Sequence, residues 1–144
     1  MRALALACAL TLAAAAPAPA LAQPRPFSCV GAEDLEDDTF AVPFAAGSGT
    51  LREAGRTGIA AAAALAETAR ERNICVLGHA DRRQGAATSV QLAAQRARAV
   101  ALALSQQGIE RDRIRAEARV GAYSGRQAEP GARAVTIVVL PAPR

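Results

Sequence analysis

The chain has 144 residues, which suits one domain with a single modest core, and its 17 basic and 13 acidic residues give a formal net charge of +4. No basic residue is lysine, and one Tyr, three Phe and no Trp leave few aromatic rings to stack on bases, so we expect no nucleic-acid partner. The positive charge favours anionic partners at long range.

The N-terminus has the features of a secretory signal peptide. Residues 1–22 contain one early arginine, an apolar run from position 3 to 16 and an end of small residues, so we expect cleavage before Gln23. Cys8 lies inside the apolar run, too near the start for a lipid-bearing cysteine. No later apolar stretch approaches the roughly 20 residues that a bilayer requires, so we predict a periplasmic mature chain without a transmembrane segment.

Cleavage leaves two cysteines, Cys29 and Cys75, in an oxidising compartment. A disulfide between them would close a loop of about 46 residues and stabilise the fold by about 3–4 kcal/mol. The alternative is two separate thiols, with Cys75 a small apolar strand residue. Together with the single His79 they fall short of a four-ligand zinc set, so we expect neither a metal nor another cofactor.

The rest of the sequence predicts a succession of strands and helices. Residues 23–38 are Pro-rich and then acidic, and they predict a leader that only Cys29 attaches. Thr50, after a Gly-Ser-Gly turn, is the predicted N-cap of the first helix, with Glu53 as its capping-box partner. The predicted elements are strand 39–44, helix 51–72, strand 74–80, helix 87–107 ended by Gly108, strand 114–120 and strand 134–140.

This β-α-β-α-β-β order predicts a two-layer α/β sandwich, with a mixed four-stranded sheet covered by the helices on one face, over residues 39–144. The two strand-helix-strand units predict parallel pairings. The last two strands, which a loop connects, are predicted to pair antiparallel.

Two charges stand out where the central strand is followed by the second helix. Asp81 comes directly after the strand, and Arg96 falls inside the apolar stripe of the helix, whereas Arg98 and Gln91 fall on the opposite side. One interpretation is a partly buried ion pair that orients the helix. The other is a pair of charges held apart for a ligand that carries both an ammonium and a carboxylate. The residues alone leave both interpretations open.

The sequence contains few combinations of residues that could form a catalytic site. His79 and Asp81 share one strand face and are the one candidate acid-base pair, which would make a hydrolase, but a lone histidine there more often has a structural role. No serine lies in a Gly-x-Ser-x-Gly turn, and the Gly-Ser-Gly turn lacks the lysine of a phosphate loop. We therefore expect that the protein is not an enzyme.

The stretch GHADRRQG followed by SVQLAAQRARAVALAL resembles the OmpA-like domain family, whose pattern is Gly-His-Thr-Asp and then Asn-x-x-Leu-Ser-x-x-Arg-Ala-x-x-Val. The resemblance covers about residues 40–140 and implies the β-α-β-α-β-β fold and noncovalent binding of peptidoglycan. The resemblance implies that Arg96 binds the carboxylate of the diaminopimelate in the stem peptide and that Asp81 binds its ammonium. Ser89, Leu92 and Arg133 are then expected to line the site. The matching residues are Gly78, His79, Asp81, Leu92, Arg96, Ala97 and Val100.

Several positions depart from the family pattern. Ala80 replaces the usual Thr, Ser89 the usual Asn, Ala93 the usual Ser, and Ala132 an Asn of the last motif. These departures motivate an alternative function, a degenerate module of the same fold that binds a protein of the cell envelope and has lost useful affinity for the wall.

Overall fold

The computed structural model describes residues 25–80, 89–120 and 134–144. Within them the element order is the predicted one, and the bounds differ by a few residues. The strands and long helices are β1 (Thr39–Val42), α1 (Glu53–Thr68), β2 (Ile74–Ala80), α2 (Val90–Gln106), β3 (Ile114–Val120) and β4 (Val135–Val139). Short 3₁₀ turns lie at Ala32–Asp34 and Arg111–Arg113.

The predicted start of the first helix is wrong. The N-cap of α1 is Arg52, which makes no side-chain capping bond, and Thr50 lies two residues before this N-cap. The reason is local: the Thr50 N–H donates to Ser48 Oγ (3.1 Å), so a serine turn precedes the helix.

The second helix begins later and ends where predicted. Ser89 is its N-cap, with an Oγ that accepts from the Leu92 N–H at 3.2 Å, so α2 begins at Val90. At the other end Gln107 is the C-cap and Gly108 has φ +97°, a left-handed conformation that glycine adopts without a Cβ penalty.

The sheet has the order β1-β4-β2-β3. β2 and β3 pair in parallel, as predicted, but β4 pairs antiparallel with both β1 and β2. The predicted neighbours β3 and β4 are therefore separated by β2, and β1 contacts β4 instead of β2. Burial explains this order, because every residue of β4 is buried while β3 exposes several side chains and lies at an edge.

Both helices pack on one face of the sheet, where the larger core includes Ile59, Val76, Val100 and Ile137. The opposite face carries a second apolar cluster that joins the leader to the sheet: Cys29, Ala32, Cys75, Leu77 and Val138. The leader thus forms a partial third layer. No helix in the described part of the chain is long and apolar enough to cross a bilayer.

Cys29 and Cys75 form a disulfide, and it is not the leader's only attachment. Arg115 donates to the Phe27 carbonyl, and Arg119 Nη2 donates to the Cys29 carbonyl at 2.8 Å. Arg25 pairs with Asp112 at 3.0 Å. The prediction that only Cys29 attaches the leader is therefore wrong, because arginines of β3 bind backbone groups that the sequence does not distinguish.

Candidate functional site

The two elements that carry the motif meet at Gly78. A Cβ built on Gly78 would lie 2.0 Å from the Ala93 carbonyl oxygen, so strand and helix backbones are in direct contact there. Ala93 is fully buried in that contact. The absence of a side chain at Gly78 therefore brings the N-terminal half of α2 over the C-terminal end of β2.

Arg96 lies on the buried face of α2, as the helical wheel predicts. Its exposed fraction is only 3%, and the other buried residues of that face are Ala93, Ala97, Val100 and Leu104. Arg98 and Gln91 are exposed on the opposite side. The position of Arg96 is thus a property of the packing and not of a generally basic helix.

The guanidinium of Arg96 binds the segment between β1 and α1. Nε donates to the Ser48 carbonyl (2.7 Å), Nη2 donates to the Ala45 carbonyl (2.9 Å), and Cζ lies 5.4 Å from the centre of the Phe44 ring. Sequence reasoning missed these contacts, because backbone carbonyls leave no side-chain pattern. Arg96 therefore connects α2 to this segment and is held in place by it.

Burial lowers the pKa of Arg96 from its usual value, because removal from water disfavours the charged form. The two carbonyls take two of the five N–H donors of the guanidinium. Among the described residues no carboxylate lies within ion-pair distance of it. Asp81 falls outside those residues, so the arrangement of the two charges stays a prediction.

Ser89 and Leu92 lie on the same side of α2 as Arg96, at intervals of about two turns and one turn. Ser89 Oγ accepts a bond from the helix, and its own O–H can still donate. Leu92 is half-buried. Arg133 is not among the described residues, so of the five predicted ligand-binding residues the structure brings together Ser89, Leu92 and Arg96.

Two departures from the family pattern fall on buried positions. Ala80 is 4% exposed and Ala93 is 0% exposed, so a methyl group suits both without an unpaired hydroxyl in the core. Ser89 is engaged as a cap, and Ala132 lies in a part of the chain that the structure does not describe. Of the two, only Ala93 lies in α2, and because it is buried its departure from the family pattern leaves the exposed surface of that helix unchanged.

His79 joins β2 to β4. Its Nε2 lies 2.9 Å from Thr136 Oγ1, and its backbone N–H donates to the Ala134 carbonyl at 3.0 Å. The side chain is half-buried. These contacts give the histidine a structural role between two central strands. The described ranges also contain no group of three or more His, Cys, Asp or Glu residues that could hold a metal ion.

Solved structures share this fold at low sequence identity. A MotB-like protein of Desulfovibrio vulgaris is 22% identical over 67% of this chain and 65% of its own, with a TM-score of 0.54. The peptidoglycan-associated lipoprotein of Burkholderia pseudomallei is 20% identical over 69% of this chain and 88% of its own (TM-score 0.56). The cell wall anchor of the T6SS from Pseudomonas aeruginosa is 24% identical over 67% and 73% (TM-score 0.52).

A comparison with curated proteins finds no match. The model of the OmpA family, in contrast, matches residues 43–136, which is more than half of the chain and includes Gly78, Ser89, Leu92 and Arg96. The chain belongs to the OmpA family.

Proposed function

We propose that this domain binds peptidoglycan noncovalently in the periplasm, and that it recognises the diaminopimelate of the stem peptide. Arg96 would bind the carboxylate of the diaminopimelate side-chain centre, and Asp81 would bind the ammonium of the same centre. Ser89, Leu92 and Arg133 would line the site. The proposal is one of binding and not of catalysis.

The observation that carries the proposal is the burial of Arg96 without a described carboxylate partner. A buried cation is costly unless its hydrogen bonds are made, and the Ser48 and Ala45 carbonyls make only two of them. These bonds also fix the direction of the guanidinium, so a carboxylate would meet a rigid fork rather than a mobile side chain. This is the first half of a site for an amino-carboxylate.

The second half is argued from chain connectivity. Asp81 is the next residue after Ala80, the end of β2, and β2 touches α2 at Gly78. Asp81 therefore directly follows the end of β2 on which α2, the helix of Arg96, is packed. A ligand that carries an ammonium and a carboxylate on one carbon would satisfy both charges at once.

The structural neighbours support association with the cell wall. Two of them are a peptidoglycan-associated lipoprotein and a cell wall anchor. We extend association with the wall to this chain on the strength of its family membership and the Arg96 geometry.

A sacculus pull-down tests the proposal. Mature protein is expected in the pellet with diaminopimelate-containing sacculi, and Asp81→Asn and Arg96→Lys should each reduce retention about tenfold or more. Arg98→Ala is the matched control, because Arg98 is exposed on the opposite side of the same helix and its loss should change nothing. Circular dichroism of each variant separates lost binding from lost folding.

The chemistry of the ligand gives a second comparison. Sacculi with lysine in place of diaminopimelate keep the ammonium and lack the carboxylate, so we expect little retention on them. No retention of the wild-type protein on either wall would contradict the proposal and favour the alternative, a degenerate module that binds an envelope protein. Release of soluble muropeptides would instead indicate a hydrolase that uses His79 and Asp81.

A further inference from the structure

The edge of the sheet at β3 is open in the described part of the chain. β3 pairs with β2 on one side, and no described strand lies on its other side. It is seven residues long and contains no proline, so its outer edge presents a row of backbone N–H and C=O groups that another strand can pair with.

One face of β3 carries alternating charges. Arg115, Glu117 and Arg119 are two residues apart and therefore share a face, and Glu117 pairs with both arginines. Read in either direction, this row is Arg, Glu, Arg. An antiparallel copy of the same strand that is centred one residue from Glu117, at Ala116 or at Ala118, therefore places Glu117 of each copy opposite an Arg of the other.

The other face of the same edge is apolar and incompletely covered. A depression of about 280 Å³ lies between α2 and β3, and it is lined by Ala101, Leu102, Ser105, Arg111, Ile114 and Ala116. Leu102 is 50% exposed beside it. A strand that pairs with the open edge of β3 would therefore also come beside this apolar depression and could cover it.

We propose that this edge binds a second copy of the chain, by antiparallel pairing of β3 with β3 about a two-fold axis at Ala116. Arg115 of each copy would lie opposite Glu117 of the other, and the two Leu102 side chains would cover the depressions beside the axis. The two sheets would become one of eight strands. Such a contact is isologous and closed, so it yields a dimer and no filament. It is independent of the proposed peptidoglycan binding.

The structure favours Ala116 over Ala118 as the centre. Ala116 is exposed and lines the depression, while Ala118 is half-buried. Both arginines bind the leader, Arg115 through the Phe27 carbonyl and Arg119 through the Cys29 carbonyl and Glu33, but the Arg119 side chain, which a centre at Ala118 would use, is only 27% exposed. The Arg115 side chain is 50% exposed and better placed to meet a second copy.

Sedimentation equilibrium over a micromolar to millimolar series tests the charge pairing. We expect the mature wild type to dimerise with concentration, and Arg115→Glu and Glu117→Arg to be monomeric alone because each places like charges opposite each other twice. An equimolar mixture of the two variants should form a one-to-one dimer, since opposite charges then face each other. The double charge swap should dimerise as the wild type does.

The mixture separates this proposal from misfolding, because a misfolded variant would not be rescued by its partner. Arg56→Glu is the matched control: it removes an exposed arginine beside Glu53 on α1, away from β3, and should leave dimerisation unchanged. A wild type that stays monomeric throughout the series, or single variants that do not dimerise when mixed, would overturn the proposal.

Cysteine cross-linking tests the register. Ala116→Cys should give a disulfide-linked dimer on mild oxidation, because facing Cα atoms in an antiparallel pair are about 4.5–5.5 Å apart. Ala118→Cys should not, because its two copies would be roughly 14 Å apart. Cross-linking through Ala118→Cys but not through Ala116→Cys would overturn the Ala116 axis.

Discussion

Gly78 is the residue on which the relation of β2 to α2 depends. An added Cβ would lie 2.0 Å from the Ala93 carbonyl oxygen and 2.7 Å from its carbonyl carbon, and these are helix backbone atoms that cannot rotate away. We therefore expect Gly78→Ala to lower the free energy of unfolding by about 3 kcal/mol, as overpacking does in a close-packed core. Urea denaturation followed by circular dichroism measures the change.

Gly49→Ala is the control for this prediction. Its added Cβ would meet the outer part of the Gln95 side chain, at 2.6 Å from Cδ and 3.1 Å from Cγ, and that side chain is exposed and can move. We expect a change within about 0.5 kcal/mol. Equal losses of unfolding free energy in Gly78→Ala and Gly49→Ala would contradict the prediction, because they would mean that the close contact of β2 with α2 does not determine the effect at Gly78.

Two buried arginines illustrate how much of the site the sequence could predict. The burial of Arg96 follows from helical periodicity, because its neighbours on the wheel are apolar. Arg113 is 1% exposed, yet it lies in a run of charged residues where no apolar period marks it. Both donate to backbone carbonyls, which have no residue-type preference, so side-chain patterns could not predict those contacts. The pairing of Arg113 with Glu110 at i−3 is the one contact with a side-chain pattern.

At the scale of elements, Arg113 terminates α1. Its Nη2 donates to the carbonyls of Ala66 (2.8 Å) and Ala69 (3.0 Å), and its Nε donates to the Arg72 carbonyl at 3.0 Å. The last carbonyls of a helix have no intrahelical donor, and a cation near them is favoured by the helix dipole. Arg113 thus replaces the glycine that ends many helices and ties α1 to the start of β3.

Glu110 makes this helix end sensitive to acid. Bonding to its own backbone N–H and to Arg113 lowers the pKa of Glu110, and its carboxylate lies 2.9 Å from Arg113 Nη1. A lowered folded-state pKa contributes stability above the usual value of 4.5 that is lost as pH falls through the folded-state pKa. Because Glu110 is 43% exposed, we expect only about 0.5 kcal/mol.

Thermal unfolding at a series of pH values measures this effect. Glu110→Gln should be less stable than the wild type at pH ~7 and should lose less stability between pH ~5 and pH ~3. Glu53→Gln is the matched control, because Glu53 pairs with Arg56 at the same spacing but its side chain is 91% exposed. The same acid loss in Glu110→Gln and in the wild type would contradict the prediction.

The sequence indicates which strands are central and not which strands are neighbours. The mainly apolar runs at Ile74–Ala80 and Val135–Val139 form the two inner strands. The edges are β1, which is short and directly followed by Pro43, and β3, which carries charged residues. Chain order suggested pairing of β3 with β4, but inner strands bury more apolar surface when they pair with each other. Which strands become neighbours in the sheet is decided by this burial in the folded protein, and local sequence patterns carry no information about it.

At the scale of the whole molecule, the sheet is covered on both faces by different means. Helices cover one face through a large apolar core, whereas the other face has only a small cluster covered by a leader without long helices or strands. Noncovalent contacts of a short irregular segment rarely offset the entropy of ordering it. The covalent bond between Cys29 and Cys75 is therefore the main restraint on this layer.

Replacement of both cysteines by alanine tests this dependence. Cross-linking residues 46 apart restricts the unfolded chain, so we expect the double variant to lose about 3–4 kcal/mol in urea denaturation. Hydrogen exchange should show loss of protection first in the leader, at Ala32–Asp34, with β2 and β4 still protected. Arg25→Ala is the control, because it removes only the partly exposed pair with Asp112 and an exposed bond to the Arg70 carbonyl, and it should cost less than about 1 kcal/mol. A double variant that loses no more than Arg25→Ala would mean that the arginines of β3 hold the leader without the disulfide.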